Sequence, residues 1–295
     1  MTERLRGTDA CSVLLSQVAL LPGHWLREDS SVAALDAAPG ETSERHSMKV
    51  VVIGGTGLIG SQVVARLGEH GHEAVPASPN TGVNTMTGEG LAEVLRGASV
   101  VVDVSNSPSF ADDAVKEFFR VSTSNLLKAE AEAGVAHHVA LSVVGTDRLQ
   151  ASGYFQAKQA QEDMIKDSGI PYSIVHATQF FEFAKTLADS ATEGDTVSVA
   201  PIKIQPISSG DVAAAVGRTA VGAPVNGTVE VAGPDVFRLE DFIRKGLAVR
   251  DDTRTVVTDP NGLYWGAALQ ESDLLPGADA RIAETRFDEW AAGQR

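Results

Sequence analysis

Residues 50–60 read Val50-Val51-Val52-Ile53-Gly54-Gly55-Thr56-Gly57-Leu58-Ile59-Gly60. The β-branched run suits a strand that is covered on both faces of a parallel sheet. It breaks into glycines at fixed spacing. Gly54 lets the chain turn, Gly57 lets the backbone approach a pyrophosphate, and Gly60 lets the next helix pack closely on the strand. Phosphates then meet the helix N-terminus, where free N–H groups and the helix dipole favour anions. Thr56, Leu58 and Ile59 belong to the same turn. The helical stretch from Ser61 to His70 turns Val63, Val64 and Leu67 inward, and a second strand is expected at 73–77. This is the strand–helix–strand setting that a dinucleotide site requires.

Outward from this turn, strands are expected at 49–53, 73–77, 99–104, 138–142 and 172–176. Helices are expected at 58–70, 88–97, 112–133 and 154–168. The alternation calls for an α/β fold, a doubly wound parallel sheet with helices on both faces. After about residue 177 the elements shorten. A helix is expected near 179–190, strands near 196–207 and 228–232, and helices near 209–221, 238–248 and 278–292. This small C-terminal α+β region, mainly 178–295, is expected to bind substrate over the C-terminal ends of the strands.

Residues 1–47 carry mixed charge and no sustained periodicity, and Met48 stands directly before the first strand. They are read as a poorly ordered N-terminal extension to a domain spanning 48–295, with a docked helix at 11–21 as the alternative. Residues 11–21 faintly resemble a signal-peptide core, but Ser16 and Gln17 interrupt it and no clear cleavage site follows. No segment approaches the roughly 18 apolar residues that span a bilayer. The net charge of −15 argues against a nucleic-acid partner. The single cysteine, Cys11, excludes an internal disulfide. The seven histidines lack metal-ligand spacing, so no metal is expected, and the adjacent His137 and His138 would point to opposite faces of a strand. The expectation is a cytoplasmic protein, monomer or homodimer, acting on a small molecule.

Dinucleotide sites declare their preference about 20 residues past the glycines, with an acid for NAD and a basic residue for NADP. Here the second strand ends Ala77-Ser78-Pro79-Asn80-Thr81, with neither. Ser78, Asn80 and Thr81 can donate hydrogen bonds to a phosphate, which favours NADP, with NAD as the alternative.

Strand 138–142 ends in Ser142. Twelve positions later comes Tyr154, and Lys158 follows four residues on, a spacing that puts both on one helix face. A phenol is a weak acid at neutral pH, and an adjacent ammonium would lower its pKa. Tyr154 could then exchange a proton with a carbonyl or alcohol oxygen while hydride moves at carbon. Ser142 could hydrogen-bond the same oxygen, and Lys158 could hold the cofactor ribose. A plain i,i+4 surface ion pair between Lys158 and Glu162 is the competing use of that lysine.

With these motifs in this order, the chain resembles the short-chain dehydrogenase/reductase superfamily, specifically its atypical, NmrA-like branch, over about residues 48–292. Further resemblances lie in Ser124-Asn125-Leu126-Leu127-Lys128-Ala129, Ala133-Gly134-Val135, Gln205-Pro206-Ile207 with Asp211-Val212-Ala213, and Ala232-Gly233-Pro234. The resemblance implies a Rossmann-type domain, NADP(H) or NAD(H) binding and reduction of a small carbonyl compound. The branch also includes cofactor-binding regulators without catalysis, and a third alternative is an isomerase or epimerase with tightly held cofactor. Departures are Ser78, Pro79 and Asn80 in place of an Arg after the second strand, and His176 where Arg is common. In such a fold Asn106 and Thr178 would lie beside the cofactor. Phe180 and Phe181, within Thr178-Gln179-Phe180-Phe181-Glu182-Phe183, would face the substrate, one or more of these phenylalanines being ordinary core. Tyr264 and Trp265 are candidate lid residues.

Overall fold

A computed structural model describes residues 47–294. The N-terminal extension assigned to 1–47, with Cys11 and the alternative helix at 11–21, lies outside the described residues except for Ser47. Strand β1 (Lys49–Ile53) is an inner strand of a seven-stranded parallel sheet, one place from its edge. In order across that sheet stand β2 (Glu73–Ala77), β1, β3 (Val100–Asp103), β4 (His137–Val143), β5 (Tyr172–Ala177), β9 (Gly227–Ala232) and β12 (Arg281–Ile282).

Both faces of β1 are buried, which is why it reads as an unbroken apolar run. Val50 and Val52 pack with Ile59, Val63 and Leu67 of α1 (Leu58–Glu69) and with Val212, Ala213 and Val216 of α6 (Ser209–Val221). Val51 and Ile53 face the other side, toward Leu91 of α2 (Leu91–Val94) and Leu126 of α3 (Asp112–Ala133). Strand side chains alternate faces, so one run feeds two cores. Each buried valine contributes roughly 1.5–3 kcal/mol over its exposed state. Helix α4 (Gly153–Asp167) packs beside α3, with Ile165 against Ala140 and Ile174.

The chain crosses from β2 on one side of β1 to β3 on the other. That reversal opens a crevice at the C-terminal ends of β1 and β3, the location favoured for ligands in open α/β sheets. A separate core lies in the C-terminal part. It joins α5 (Ala184–Ser190), α7 (Leu239–Ala248) and α8 (Phe287–Ala292) to β7 (Thr196–Val199) and β11 (Thr255–Thr258) through Leu187, Val197, Phe242, Ile243, Val256 and Phe287.

Several expected elements differ. The 88–97 helix contracts to Leu91–Val94, because Gly88 and Gly90 adopt φ of +80° and +74° and deny it an earlier start. The 196–207 strand divides at Pro201 into β7 and the short β8 (Lys203–Ile204). The 179–190 helix begins instead as a 3₁₀ turn at Phe181–Phe183. The 278–292 helix is reduced to α8, since Arg281 and Ile282 pair with Val231 and Ala232 at the sheet edge. The short strands β6 (Thr192–Glu193) and β10 (Phe237–Arg238), together with β11, escape periodicity altogether.

Candidate functional site

The glycine turn sits at the crevice. Gly54 has φ of +77°, and its N–H donates to the Ala77 carbonyl at 2.9 Å. A Cβ on Gly60 would lie 2.2 Å from the Gly54 oxygen and 2.7 Å from Gly55 Cα. Only glycine therefore permits α1 to begin so close to the strand. Gly57 differs. Its φ of −84° suits any residue, and a Cβ there would meet only the Gly54 oxygen, at 3.2 Å. Packing makes little demand for glycine at Gly57, which stands exposed as the N-cap of α1.

Thr56 and Gly57 are exposed at the turn, Leu58 is half-buried and the Ile59 side chain belongs to the core. Leu58, Ile59 and Gly60 thus offer backbone N–H groups rather than side chains. No side chain caps α1, and no acid stands in its first turn. Those N–H groups and the positive end of the helix dipole are available to an anion.

Orphaned polar atoms flank the same edge. Ser78 Oγ, Thr178 Oγ1 and both polar atoms of the Gln179 amide are buried without a partner among the described residues. A buried polar group without a partner is costly. Ser78 and Thr178–Gln179 follow β2 and β5, so the unsatisfied groups lie where a bound dinucleotide would satisfy them. The residues therefore fit such a group. Thr81 Oγ1 is already used, accepting from the Ser78 N–H at 2.9 Å, while Asn80 is exposed. Asn106 is exposed in the loop after β3, its Oδ1 accepting from the Ser107 N–H.

Ser142, Tyr154 and Lys158 all lie on β4 and α4, but they make no common hydrogen-bond network. Ser142 is buried and donates to Glu162 Oε1 at 2.6 Å, and His176 Nε2 lies 2.7 Å from the same oxygen. Burial raises the Glu162 carboxyl. The hydrogen bond and charge of His176 outweigh that, aided by Ser142 and Lys166, and hold it below its ordinary value. The Ser142 hydroxyl thus points at a carboxylate rather than into open crevice.

Lys158 is 2% exposed. Its Nζ donates to the Leu141 carbonyl at 2.9 Å and to Gln161 Oε1, and lies 4.6 Å from the centroid of Phe119. Gln161 in turn donates to Asp103 Oδ2 at 3.0 Å, and Asp103 Oδ1 accepts from the Ser105 N–H and hydroxyl. Burial pulls the ammonium down to about 8, against the opposing charges of Asp103 and Glu162. The surface ion pair with Glu162 does not form, because the two side chains enter separate buried networks.

Tyr154 keeps part of its side chain at the surface but is surrounded by aromatic rings. Phe110 lies 5.5 Å away between centroids, Phe155 5.5 Å and Phe119 6.2 Å. Burial pushes the phenol well above its ordinary value, with no opposing effect from Lys158. The expected lowering of its pKa is absent for a physical reason: the ammonium is turned to Leu141 and Gln161.

Of the aromatic residues after β5, Phe181 is 1% exposed and packs on Phe287 and Trp290, at centroid distances of 5.2 and 5.6 Å. It is core and lines no pocket. Phe180 is half-buried and stacks on Phe183 at 5.1 Å. Sequence reasoning missed Gln161, Asp103 and Phe110. The i,i+3 spacing of Lys158 and Gln161 on one helix was the signal for the first. A shallow groove of about 520 Å³, lined by Ser124, Leu127, Lys128, Asp163, Met164 and Asp167, lies between α3 and α4. It lies toward the helix ends that lead into the starts of β4 and β5, away from the crevice.

The sequence model of the family described as NAD(P)H-binding matches residues 54–220. Among curated proteins, the photosystem II assembly factor Ycf39 of Synechocystis sp. is 22% identical over 149 residues, 46% of each chain. The chain thus spans about half the length of that curated relative. Among solved structures, MoeE5 in complex with UDP-glucose and NAD gives a TM-score of 0.64 at 17% identity, covering 83% of this chain and 97% of that one. The dTDP-4-dehydrorhamnose reductase of Bacillus anthracis in complex with NADP gives 0.59 at 16%, over 72% and 84%. The UDP-glucose 4-epimerase of Thermus thermophilus with NAD gives 0.58 at 17%, over 84% and 94%. At these identities the structures establish the Rossmann-type fold.

Proposed function

Because the chain belongs to the NAD(P)H-binding family, we propose that it is an NAD(P)H-dependent oxidoreductase that reduces the carbonyl of a small molecule, with Tyr154 as the proton donor. One observation carries the reading: an uncapped helix N-terminus behind a glycine turn shares the strand-end edge of the sheet with Tyr154, in the first turn of α4. When bound, the cofactor supplies the hydride. Gly54, Thr56 and Gly57, with the N–H groups of Leu58, Ile59 and Gly60, would hold its pyrophosphate. Ser78 and Asn80 would take the adenosine side, with Thr81 holding the turn through the Ser78 N–H, and donors without an acid favour NADP over NAD. Asn106, Thr178 and Gln179 would line the rest of its path, and Lys158 would be the cation at its ribose.

A phenol is protonated at neutral pH, so Tyr154 holds the proton that reduction needs. Burial pushes its value up and makes it a weaker acid, so the donation relies on the oxyanion that hydride transfer creates. Ser142 enters as a positioning residue, since its hydroxyl is engaged by Glu162.

Calorimetric titration with NADPH, NADH and their oxidised forms tests the site, and a carbonyl panel with NADPH then tests the activity. Binding of none of the four overturns the reading, and a reductase activity untouched by Tyr154→Phe overturns the assigned mechanism. A second reading, a non-catalytic NADP-binding sensor, is favoured by the commitment of Ser142 to Glu162 and of Lys158 to Leu141. It predicts tight, form-selective binding without turnover. Cofactor that co-purifies with the protein would instead favour an isomerase or epimerase.

A further inference from the structure

The turn Tyr264-Trp265-Gly266-Ala267 closes a two-residue hairpin, in which the N–H of Tyr264 donates to the Ala267 carbonyl and that of Ala267 to the Tyr264 carbonyl. Trp265 has φ of +49° and Gly266 φ of +82°, so both central residues are left-handed. Asn, Asp and Gly normally fill such positions, and a bulky aromatic there is strained. Strain of this kind persists where its surroundings hold it, and it points toward function.

The Trp265 ring stacks on Phe110 at 6.2 Å and 21°, and Phe110 packs on Tyr154 at 5.5 Å. Tyr264 is buried beside Trp265, and burial pushes its phenol up. Rings from two segments far apart in the chain thus stack in series onto the proposed proton donor, Trp265 on Phe110 and Phe110 on Tyr154. Behind Trp265 lies a small cavity of about 20 Å³, whose lining includes Leu187, Val199, Leu239, Ile243 and Leu263 and contains no charged residue.

Charge points the same way. Residues 259–279, which carry this turn, contain four carboxylates (Asp259, Glu271, Asp273 and Asp279) and no Lys or Arg. Three cations are already paired: Lys203 with Glu271, Arg254 with Asp252 and Asp189, and Arg148 with Asp147 and the Leu275 carbonyl. A nucleotide diphosphate needs positive partners, and this segment supplies none.

We propose that the substrate is an uncharged, planar aromatic or conjugated ketone or aldehyde, held by Trp265 and Phe110 over Tyr154, and that sugar nucleotides are excluded. This rests on the oxidoreductase reading. The carbonyl carbon gains a hydride from the reduced nicotinamide, the oxygen gains the Tyr154 proton, and the phenolate recovers a proton from water, giving the alcohol and oxidised cofactor.

The test is calorimetry with 2-acetonaphthone and with UDP-glucose, on protein saturated with whichever of NADP⁺ and NAD⁺ it binds. Trp265→Gly keeps the hairpin, because glycine accepts the left-handed conformation. Phe110→Ala removes the other face from a separate loop. Saturable 2-acetonaphthone binding is expected, weakened about tenfold or more in each variant, the loss of an aromatic stack with its buried area. No UDP-glucose binding is expected. If neither cofactor binds, the oxidoreductase reading fails and this proposal with it. If a cofactor binds but 2-acetonaphthone does not, or either variant binds it as the parent does, or UDP-glucose binds, the substrate assignment alone is overturned.

Discussion

Alanine at Gly60 and alanine at Gly57 should produce opposite defects, although both residues belong to one motif. At Gly60 the new Cβ would lie 2.2 Å from the Gly54 oxygen, 2.7 Å from Gly55 Cα and 2.8 Å from the Gly54 carbonyl carbon. All three are backbone atoms of the turn, so no side chain can swing aside. Relief requires α1 to move off the sheet, which disturbs the packing of Ile59, Val63 and Leu67 on β1. Overpacking of this kind costs typically 1–3 kcal/mol, and a clash with backbone on the sheet side places it near about 3 kcal/mol. For a domain of this size, about 2–4 °C is lost per kcal/mol, a fall of roughly 6–12 °C in Tm.

At Gly57 the nearest atom is 3.2 Å away, and φ is −84°. Losing a good cap residue there costs under about 1 kcal/mol, or a few degrees. The methyl group would instead stand over the N–H groups of α1 and hold an approaching pyrophosphate away. NADPH affinity should fall at least about tenfold, equivalent to about 1.4 kcal/mol. Differential scanning fluorimetry and calorimetry read the two effects separately. A Gly57→Ala protein that binds NADPH as the parent does, or a Gly60→Ala protein that melts with the parent, would refute this division of roles.

Three further outcomes are expected. Glu162→Gln removes the negative charge from the acceptor that Ser142 and His176 share and should cost about 1–3 kcal/mol near neutral pH. Its carboxyl is held below the ordinary value in the fold, so the contribution exists above the unfolded pKa and is lost in acid; parent and variant urea curves should converge well below pH 4.5. His137 is lowered to about 4 by burial and by His138. Between about pH 6.5 and 4 the unfolded chain therefore binds a proton that the fold does not, stability falls as pH falls, and His137→Leu should flatten that slope by up to one proton in a pH series of denaturation midpoints. Tyr154 has no hydrogen-bond partner among the described residues, so Tyr154→Phe should leave stability within about 0.5 kcal/mol by chemical denaturation even where it abolishes reduction.

Elements that bury their own pattern were legible. The run Val50–Ile53 and the glycines announce β1, the turn and α1 without tertiary help, and α3 and α6 match the expected bounds of 112–133 and 209–221. Elements made by neighbours were not legible. Arg281 and Ile282 are a strand only because β9 offers an edge, and Gly246 in α7 is required by Ala184, whose Cβ would lie 2.2 Å from one added there. At the site, sequence spacing placed Tyr154, Lys158 and Glu162 on one helix but could not say what each side chain touches. Lys158 turns to the Leu141 carbonyl, Glu162 to Ser142 and His176, and Tyr154 to rings from a loop and a hairpin. Those partners are distant in sequence and carry no periodic signal.

The buried ladder from Ser105 through Asp103 and Gln161 to Lys158 joins the two halves of the proposed site. Ser105 lies against the glycine turn, where a Cβ on Gly54 would come within 3.0 Å of its backbone. Lys158 lies one helical turn from Tyr154. Each rung satisfies the next, and a satisfied buried network in a low-dielectric interior fixes the groups that form it. The register between the anion-binding turn and the helix carrying the phenol is therefore set by side chains as well as by strand pairing. Hydride transfer to a carbonyl that must also meet a proton donor tolerates misplacement of only about an ångström. A chain selected only for a stable sheet could place valines at Asp103 and Lys158, since apolar replacement of buried charges is often neutral or stabilising. Keeping a lysine whose ammonium burial has pulled to about 8 is a cost to the fold, and the crevice that this ladder holds in register gives that cost a purpose.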